Sequence, residues 1–178
     1  MAEQVPPKTT KELPPGLQLE KVDDRIMTLN VGPQHPGSGH MRLIIKVDGD
    51  YIVDADPDPG YVHRGEEKMA EVRNYVLNIP HLERPVIHDS CNILYPYVLG
   101  VEDLLGTEVS ERAKYIRVIA AELNRCVYTQ YWLAIYGIFL GHSTMFMWPA
   151  GDRELFIDLL EKMTGARVTH SYFVPGGV

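Results

Sequence analysis

One stretch limits the fold more than any other: "SERAKYIRVIAAELNRCVYTQYWLAIYGIF", Ser110 to Phe139. It contains no proline, and Ser110 is a residue type whose side-chain oxygen closes a first helical turn. Ile116, Ile119, Leu123, Val127, Ala134 and Ile138 recur at intervals of three, four or seven, which predicts one buried stripe along a long helix. The most apolar part, "YWLAIYGIFLG" from Tyr131 to Gly141, is far shorter than the roughly 20 residues that cross a bilayer. It reads as buried helix, with Trp132, Tyr136 and Phe139 in the core. Glu122 and Arg125, three apart, read as a local ion pair rather than a proton relay.

A helix of this length needs other helices to cover it. "RGEEKMAEVRNYVLNI" (64–79) is a helix former that stops before Pro80. Its first turn, Arg64, Glu66, Glu67 and Lys68, reads equally as a solvated face or an inter-subunit contact. A second helix is expected over about 86–105, kinked or started by Pro96. Asp152 is expected to cap a last helix with Leu155, Phe156, Leu159, Leu160 and Met163 on one face and Gly165 at its end.

Strands come before the helices. "RIMTLNV" (25–31) alternates, and "MRLIIKV" (41–47) and "YIVDAD" (51–56) flank Asp48-Gly49, a dipeptide suited to a type I′ hairpin turn. "DPDPG" (56–60) ends the sheet. The expected fold is α+β: a small antiparallel sheet at 25–60, then a mainly helical bundle at 61–178. Residues 1–24 begin "MAEQVPPKTTKELPPG", without the pattern of a signal peptide, and read as an extended or disordered tail. The abrupt close in "HSYFVPGGV" leads us to expect a chain that continues.

Composition excludes several functions. A net charge of −7 with no basic stripe argues against a nucleic-acid surface. Cys91 and Cys126 form no C-x-x-C pair, which fits free thiols in a reducing compartment. The histidines, at 35, 40, 63, 81, 88, 142 and 170, show no H-E-x-x-H spacing, so no metal site is expected. There is no G-x-S-x-G, no P-loop and no dinucleotide fingerprint. The loop "VGPQHPGSGHM" stands out. Gly and Pro corners surround His35 and His40 ahead of a clean strand. It is either a solvated turn or a loop that brings imidazoles of near-neutral pKa to a ligand.

In order along the chain, "VGPQHP", "GYVHRGEEKMAE", "VEDLLG", "SERAKYIRVIAAELNR" and "TGARVTHSYFVPGGV" resemble the D subunit of respiratory complex I, the NADH–quinone oxidoreductase. The resemblance runs from about Leu29 to Val178 and corresponds to the N-terminal half of that subunit. The family is related to the large subunit of [NiFe] hydrogenases, which implies the same sheet-plus-bundle fold. Where those hydrogenases place nickel-binding cysteines, "ERPVIHDSCNILYPYVLGVEDLL" has Val86 and Asp89, and Cys91 is two residues out of place. Valine binds no metal and one aspartate does not replace two thiolates. A nickel site is not expected.

The resemblance implies a peripheral subunit on the cytoplasmic side of the cell membrane. It would form a quinone-reduction site with the complex I B subunit, whose [4Fe–4S] cluster supplies electrons. The C subunit and the membrane-embedded H subunit would lie beside it. NAD would not bind this chain, and electron transfer would couple to ion translocation. The glycine-bearing loop would line the quinone site, with His40 as donor and His35 fixed between prolines. The family's quinone-binding tyrosine falls at Ile87, beside His88, and the acidic partner of its loop histidine falls at Phe139. Arg84 matches the arginine near the cluster. The cluster-facing histidine falls at Thr169, next to His170. The other reading is a scaffold subunit of a complex-I-like or membrane-hydrogenase-like assembly without the usual quinone site.

Overall fold

The computed structural model describes residues 17–21, 25–34 and 39–178, with Ile87 and 17–21 by backbone only. The fold is α+β, and it divides into two compact units, Met1–His63 and Arg64–Val178.

The first unit holds a four-stranded antiparallel sheet in sequence order: β1 (Leu17–Lys21), β2 (Ile26–Val31), β3 (Arg42–Asp48) and β4 (Tyr51–Asp58). The alternating runs predict only three of these strands. The fourth, β1, lies in the segment read as a tail, and pairs Leu17 with Val31 through Lys21 with Met27. Its pattern "LQLEK" alternates, but it is short and follows a proline-rich run, so composition hides it. The β3–β4 turn also differs from expectation. Asp48 pairs with Tyr51, so Gly49 and Asp50 are the turn residues. Gly49 has φ +62° while Asp50 has no positive φ. A type I′ turn needs positive φ at both positions, so glycine here serves the first position alone. The register shifts between Lys46 and Val47, leaving Val53 as the extra residue of a bulge.

The second unit is helical: α1 (Glu66–Val72), α2 (Ile79–Leu82), a 3₁₀ turn (Ile87–Asp89), α3 (Ser90–Leu105), α4 (Glu111–Phe139) and α5 (Ser143–Thr164). The helix expected over 64–79 stops at Val72. Asparagine side chains intercept its backbone: Asn78 Nδ2 donates to the Ala70 carbonyl at 3.0 Å, and Leu77 N–H donates to Asn74 Oδ1 at 2.8 Å. Such local bonds compete with helix propagation. Pro96 sits inside a continuous α3. Ser110 caps α4 as expected, accepting from Ala113 N–H at 3.3 Å. α5 begins well before Asp152, because the His142 side chain caps it by accepting from Met145 N–H at 3.0 Å, and Pro149 is accommodated inside.

The core joins Ile79, Cys91, Leu94, Val98, Ala120, Ala121 and Phe173, continuing through Val127, Ile157 and Leu160. The expected stripe on α4 holds at Val127 and Ala134, is half-buried at Ile116, Leu123 and Ile138, and fails at Ile119; the buried face is broader than expected. Ala113, Arg117, Ala120, Ala121, Asn124, Val127, Ala134 and Gly137 face inward, while Ile119 is 52% exposed and Trp132, Tyr136 and Phe139 are also exposed. The buried line follows the same 3.6-residue period. Gly137 lies where α5 comes closest, whereas Arg117 and Asn124 are buried against α3, the 3₁₀ turn and the turn 174–177. On α5 the expected Leu155 and Leu159 are likewise exposed, whereas Ile157 and Leu160 are buried.

Arg117, 1% exposed, links three segments. Its guanidinium makes a fork with Glu102 of α3 at 2.9 and 2.6 Å, and donates to the carbonyls of Val174 and Gly177. Glu102 also accepts from Gly176 N–H at 2.7 Å. The Arg117 hydrogen bond holds the Glu102 carboxyl below its ordinary pKa against the opposing effect of burial.

Glu102→Ala strands this buried guanidinium and should cost about 3–5 kcal/mol, read from urea unfolding. A lowered carboxyl pKa stabilises the fold fully above its unfolded value of about 4.3, and that contribution fades as pH falls through the folded value. Glu102→Gln should therefore flatten the acid limb of the stability profile; an unaltered limb would place the titration elsewhere. A Cβ on Gly137 would lie 2.9 Å from the Met145 and Phe146 backbone. Gly137→Ala should cost about 1–3 kcal/mol by forcing α4 and α5 apart, seen as a lower thermal midpoint.

Candidate functional site

The segment 83–91 and the turn 169–173 lie against each other across a long separation in sequence. Glu83 is fully buried between α2 and the 3₁₀ turn and accepts from both Ser171 N–H and Ser171 Oγ–H at 2.7 Å. His170 Nδ1 lies 3.0 Å from Ser90 Oγ and 3.6 Å from Cys91 Sγ. The Ser90 hydroxyl and Cys91 thiol can each donate or accept, so the direction of these contacts follows the imidazole tautomer. His170 is 9% exposed, and its Nε2 is buried with no hydrogen-bond partner. Burial pulls its pKa down, with the Glu83 carboxylate opposing. Thr169 and Ser171 on either side have positive φ, 53° and 44°. Non-glycine residues adopt that region at a cost, so the bonds to Glu83 and Ser90 hold this turn in a conformation it would not otherwise favour.

Arg84 follows Glu83 directly. It is exposed and has no ion-pair partner among the described residues. The Glu83–Ser171 contact thus brings together the two segments that carry Arg84 and His170, the residues expected near a cluster. Cys91 beside them is an inert thiol: burial, reinforced by the Glu83 charge, pushes its pKa up to about 12.

Asn124 of α4 fixes the neighbouring turn. Its Oδ1 accepts from Cys91 N–H at 2.8 Å and its Nδ2 donates to the His88 carbonyl at 3.1 Å. His88 stacks on Tyr131 with ring centroids 3.8 Å apart, and Arg153 Nη2 is 3.4 Å from its Nδ1. Burial, then the Arg153 charge, lowers the His88 pKa. Ile87 lies in the 3₁₀ turn.

The other expected residues are dispersed. His40 is exposed at the mouth of β3 with φ +66°, in the sheet unit. His35 lies outside the described residues. His142 is engaged as the α5 cap beside an open groove of about 610 Å³ lined by Leu133, Met145, Trp148 and Pro149. Glu122 and Arg125 pair with each other on the exposed face. Arg64 pairs with Glu66 at 3.5 Å, and Glu66 also meets His81 Nε2 at 2.9 Å. Among the described residues no group of three or more His, Cys, Asp or Glu side chains is placed to hold a metal ion, and no helix is long and apolar enough to cross a membrane. The roles of Glu83, Ser90, Tyr131 and Arg153 escaped sequence reasoning. Their contacts join segments far apart in the chain, and none has a motif of its own.

Residues 140–178 match the family model described as respiratory-chain NADH dehydrogenase, 49 Kd subunit. Over 153 residues the chain is 46% identical to the D subunit of the NADH-quinone oxidoreductase of Carboxydothermus hydrogenoformans, covering 85% of this chain and 42% of that protein. The corresponding D subunit of Geobacter metallireducens is 45% identical over 154 residues, 86% of this chain and 40% of that protein. A solved structure, the membrane-bound sulfane sulfur reductase described as an archaeal respiratory membrane complex, contains a chain that superposes with a TM-score of 0.81 at 38% identity. The match covers 89% of this chain and 42% of that one. This chain therefore spans about two fifths of the length of the relatives it matches. Over that part of their length it is similar in sequence to NADH-quinone oxidoreductase D subunits, and in fold to a chain of the sulfane sulfur reductase complex.

Proposed function

We propose that this chain is part of a peripheral subunit that forms a quinone-reduction site in a complex-I-like membrane assembly, on the cytoplasmic side. Its partners in that reading are the equivalents of the B and C subunits and of the membrane-embedded H subunit. Electrons come from a [4Fe–4S] cluster held by the B-type partner, and the redox energy is coupled to ion translocation. The observation that carries this reading is the packing of the segment that carries Arg84 against the His170 turn, within a sequence 46% identical to a D subunit. Arg84 offers an exposed guanidinium to a negatively charged group on a neighbouring protein, and His170, buried behind Ser90 and Cys91, supports the turn packed against that segment. His40, with glycine-conferred freedom before it, is the residue we assign as proton donor to the reduced quinone, and His88 as a headgroup contact. His35 is assigned a structural hydrogen bond in the same loop.

A scaffold subunit without quinone chemistry is the second reading. Ile87 at the position of the family's phenol and the exposed Phe139 at that of its acid favour it, as does similarity to a chain of a sulfane sulfur reductase complex. Quinone-dependent activity and inhibitor sensitivity of the purified assembly separate the two.

Three outcomes follow from the first reading. His40→Ala should cut quinone reduction by roughly 10²–10⁴-fold, the span of a general acid, while assembly and reduction of the cluster are unchanged; full activity removes His40 from the site. Arg84→Ala should lower the potential of the neighbouring cluster by on the order of tens of millivolts, since loss of a nearby cation destabilises the reduced form. Redox titration followed by electron paramagnetic resonance reads this, and an unmoved midpoint places Arg84 elsewhere. Elemental analysis of the separated chain should find no stoichiometric nickel or iron; a full equivalent of nickel restores the hydrogenase reading.

A further inference from the structure

We infer that Tyr131 and Arg153, together with His88, form the edge that receives a carbonyl oxygen of the quinone ring. The inference rests on the quinone-site reading and supplies that site with the hydroxyl that Ile87 lacks.

The three residues come from the 3₁₀ turn, α4 and α5. His88 and Tyr131 stack at 3.8 Å with an interplanar angle of 25°, a flat platform of two rings. The guanidinium carbon of Arg153 is 5.8 Å from the Tyr131 ring centroid, and its Nη2 is 3.4 Å from His88 Nδ1. A guanidinium only donates, so Nδ1 accepts and the His88 proton sits on Nε2. Burial and the Arg153 charge both favour the neutral ring. His88 is therefore a donor through Nε2–H that carries no charge.

Arg153 is short of acceptors. Its side chain is 16% exposed, and its Nε is buried with no hydrogen-bond partner. Glu154 approaches only to 4.0 Å, and the other oxygen of Glu154 is held by Arg167. A largely buried cation compensated this weakly calls for an electron-rich group beside it. The Tyr131 hydroxyl forms no hydrogen bond among the described residues. Nε2–H of His88 and the phenol of Tyr131 make no hydrogen bond among the described residues and thus leave one kind of occupant unmet, a hydrogen-bond acceptor, while Arg153, its Nε closed off from solvent, adds its charge. The ring platform selects an acceptor borne on a flat unsaturated ring. A quinone carbonyl has that shape, and its oxygen gains negative charge on reduction, beside a fixed cation. Asn124, which holds the His88 carbonyl, keeps this turn seated against α4.

The test is titration of the purified assembly with ubiquinone-1, for binding and for steady-state reduction, in the wild type, Tyr131→Phe and Arg153→Gln. Tyr131→Phe keeps the ring and the stack and removes only the hydroxyl. Loss of one such hydrogen bond should weaken binding and raise KM by roughly fivefold to tenfold, with cluster reduction unaltered. Arg153→Gln should act in the same direction, and Tyr131→Phe decides alone if that variant does not assemble. If the wild type binds ubiquinone-1 and Tyr131→Phe binds it equally well, this site is wrong and the quinone reading stands. If the wild type neither binds nor reduces it, both fall.

Discussion

The Arg117–Glu102 pair is the constraint on which the helical unit depends. Two charged groups, both essentially removed from solvent, meet where α3, α4 and the turn 174–177 converge. Burying either alone would be prohibitive, so each fixes the other. The guanidinium fork spends its donors on Glu102 and on two carbonyls of the turn, and the carboxylate takes the Gly176 N–H in return. A hydrophobic pair of the same size could fill the space, but it would not specify where the chain after Phe173 goes. The ion pair does, and in doing so it carries residues 169–173 back onto the segment 83–91.

The candidate site is a consequence of that return. His170 reaches Ser90 and Cys91, and Ser171 reaches Glu83, only because the turn beyond them is anchored. Two backbone positions of positive φ flank His170. Their cost is offset by buried hydrogen bonds to Glu83. The same region shows two buried nitrogens without partners, His170 Nε2 and Arg153 Nε. Buried polar atoms are satisfied almost everywhere in folded proteins. Glu66 Oε2 and Asn78 Oδ1 of the same unit also make no hydrogen bond, so the two nitrogens are set apart by their neighbours, Ser90 and Cys91 for His170 and the His88–Tyr131 stack for Arg153.

Much of the local structure was legible. Ser110 announced the start of α4, the alternating runs at 25–31, 41–47 and 51–56 announced the central and C-terminal strands, and Gly165 closed α5 in the left-handed region. The failures have physical causes. Asn74 and Asn78 cut short a helix that propensity favoured. A histidine, outside the usual set of capping residues, started α5 early. On α4 the expected aliphatic stripe shares Val127 and Ala134 with the buried face, which also takes in alanines, Arg117 and Asn124. Hydrophobicity marks the first part, but the ion pair of Arg117, the bonds of Asn124 and the close approach of α5 at Gly137 set the rest.

The sequence alone determined the elements that follow from local rules: period, caps, turns, and the motifs that make the chain similar to D subunits. It also determined the residues present at Ile87, Val86, Asp89 and Phe139, which no fold can undo. Only the tertiary structure decided which helix face is buried, that Glu102 and Arg117 pair, that Glu83 meets Ser171, and that Tyr131 and Arg153 join His88. These pairings span 15 to 88 residues. No local interaction encodes them, because each is set by where the backbone places two segments once the core has packed.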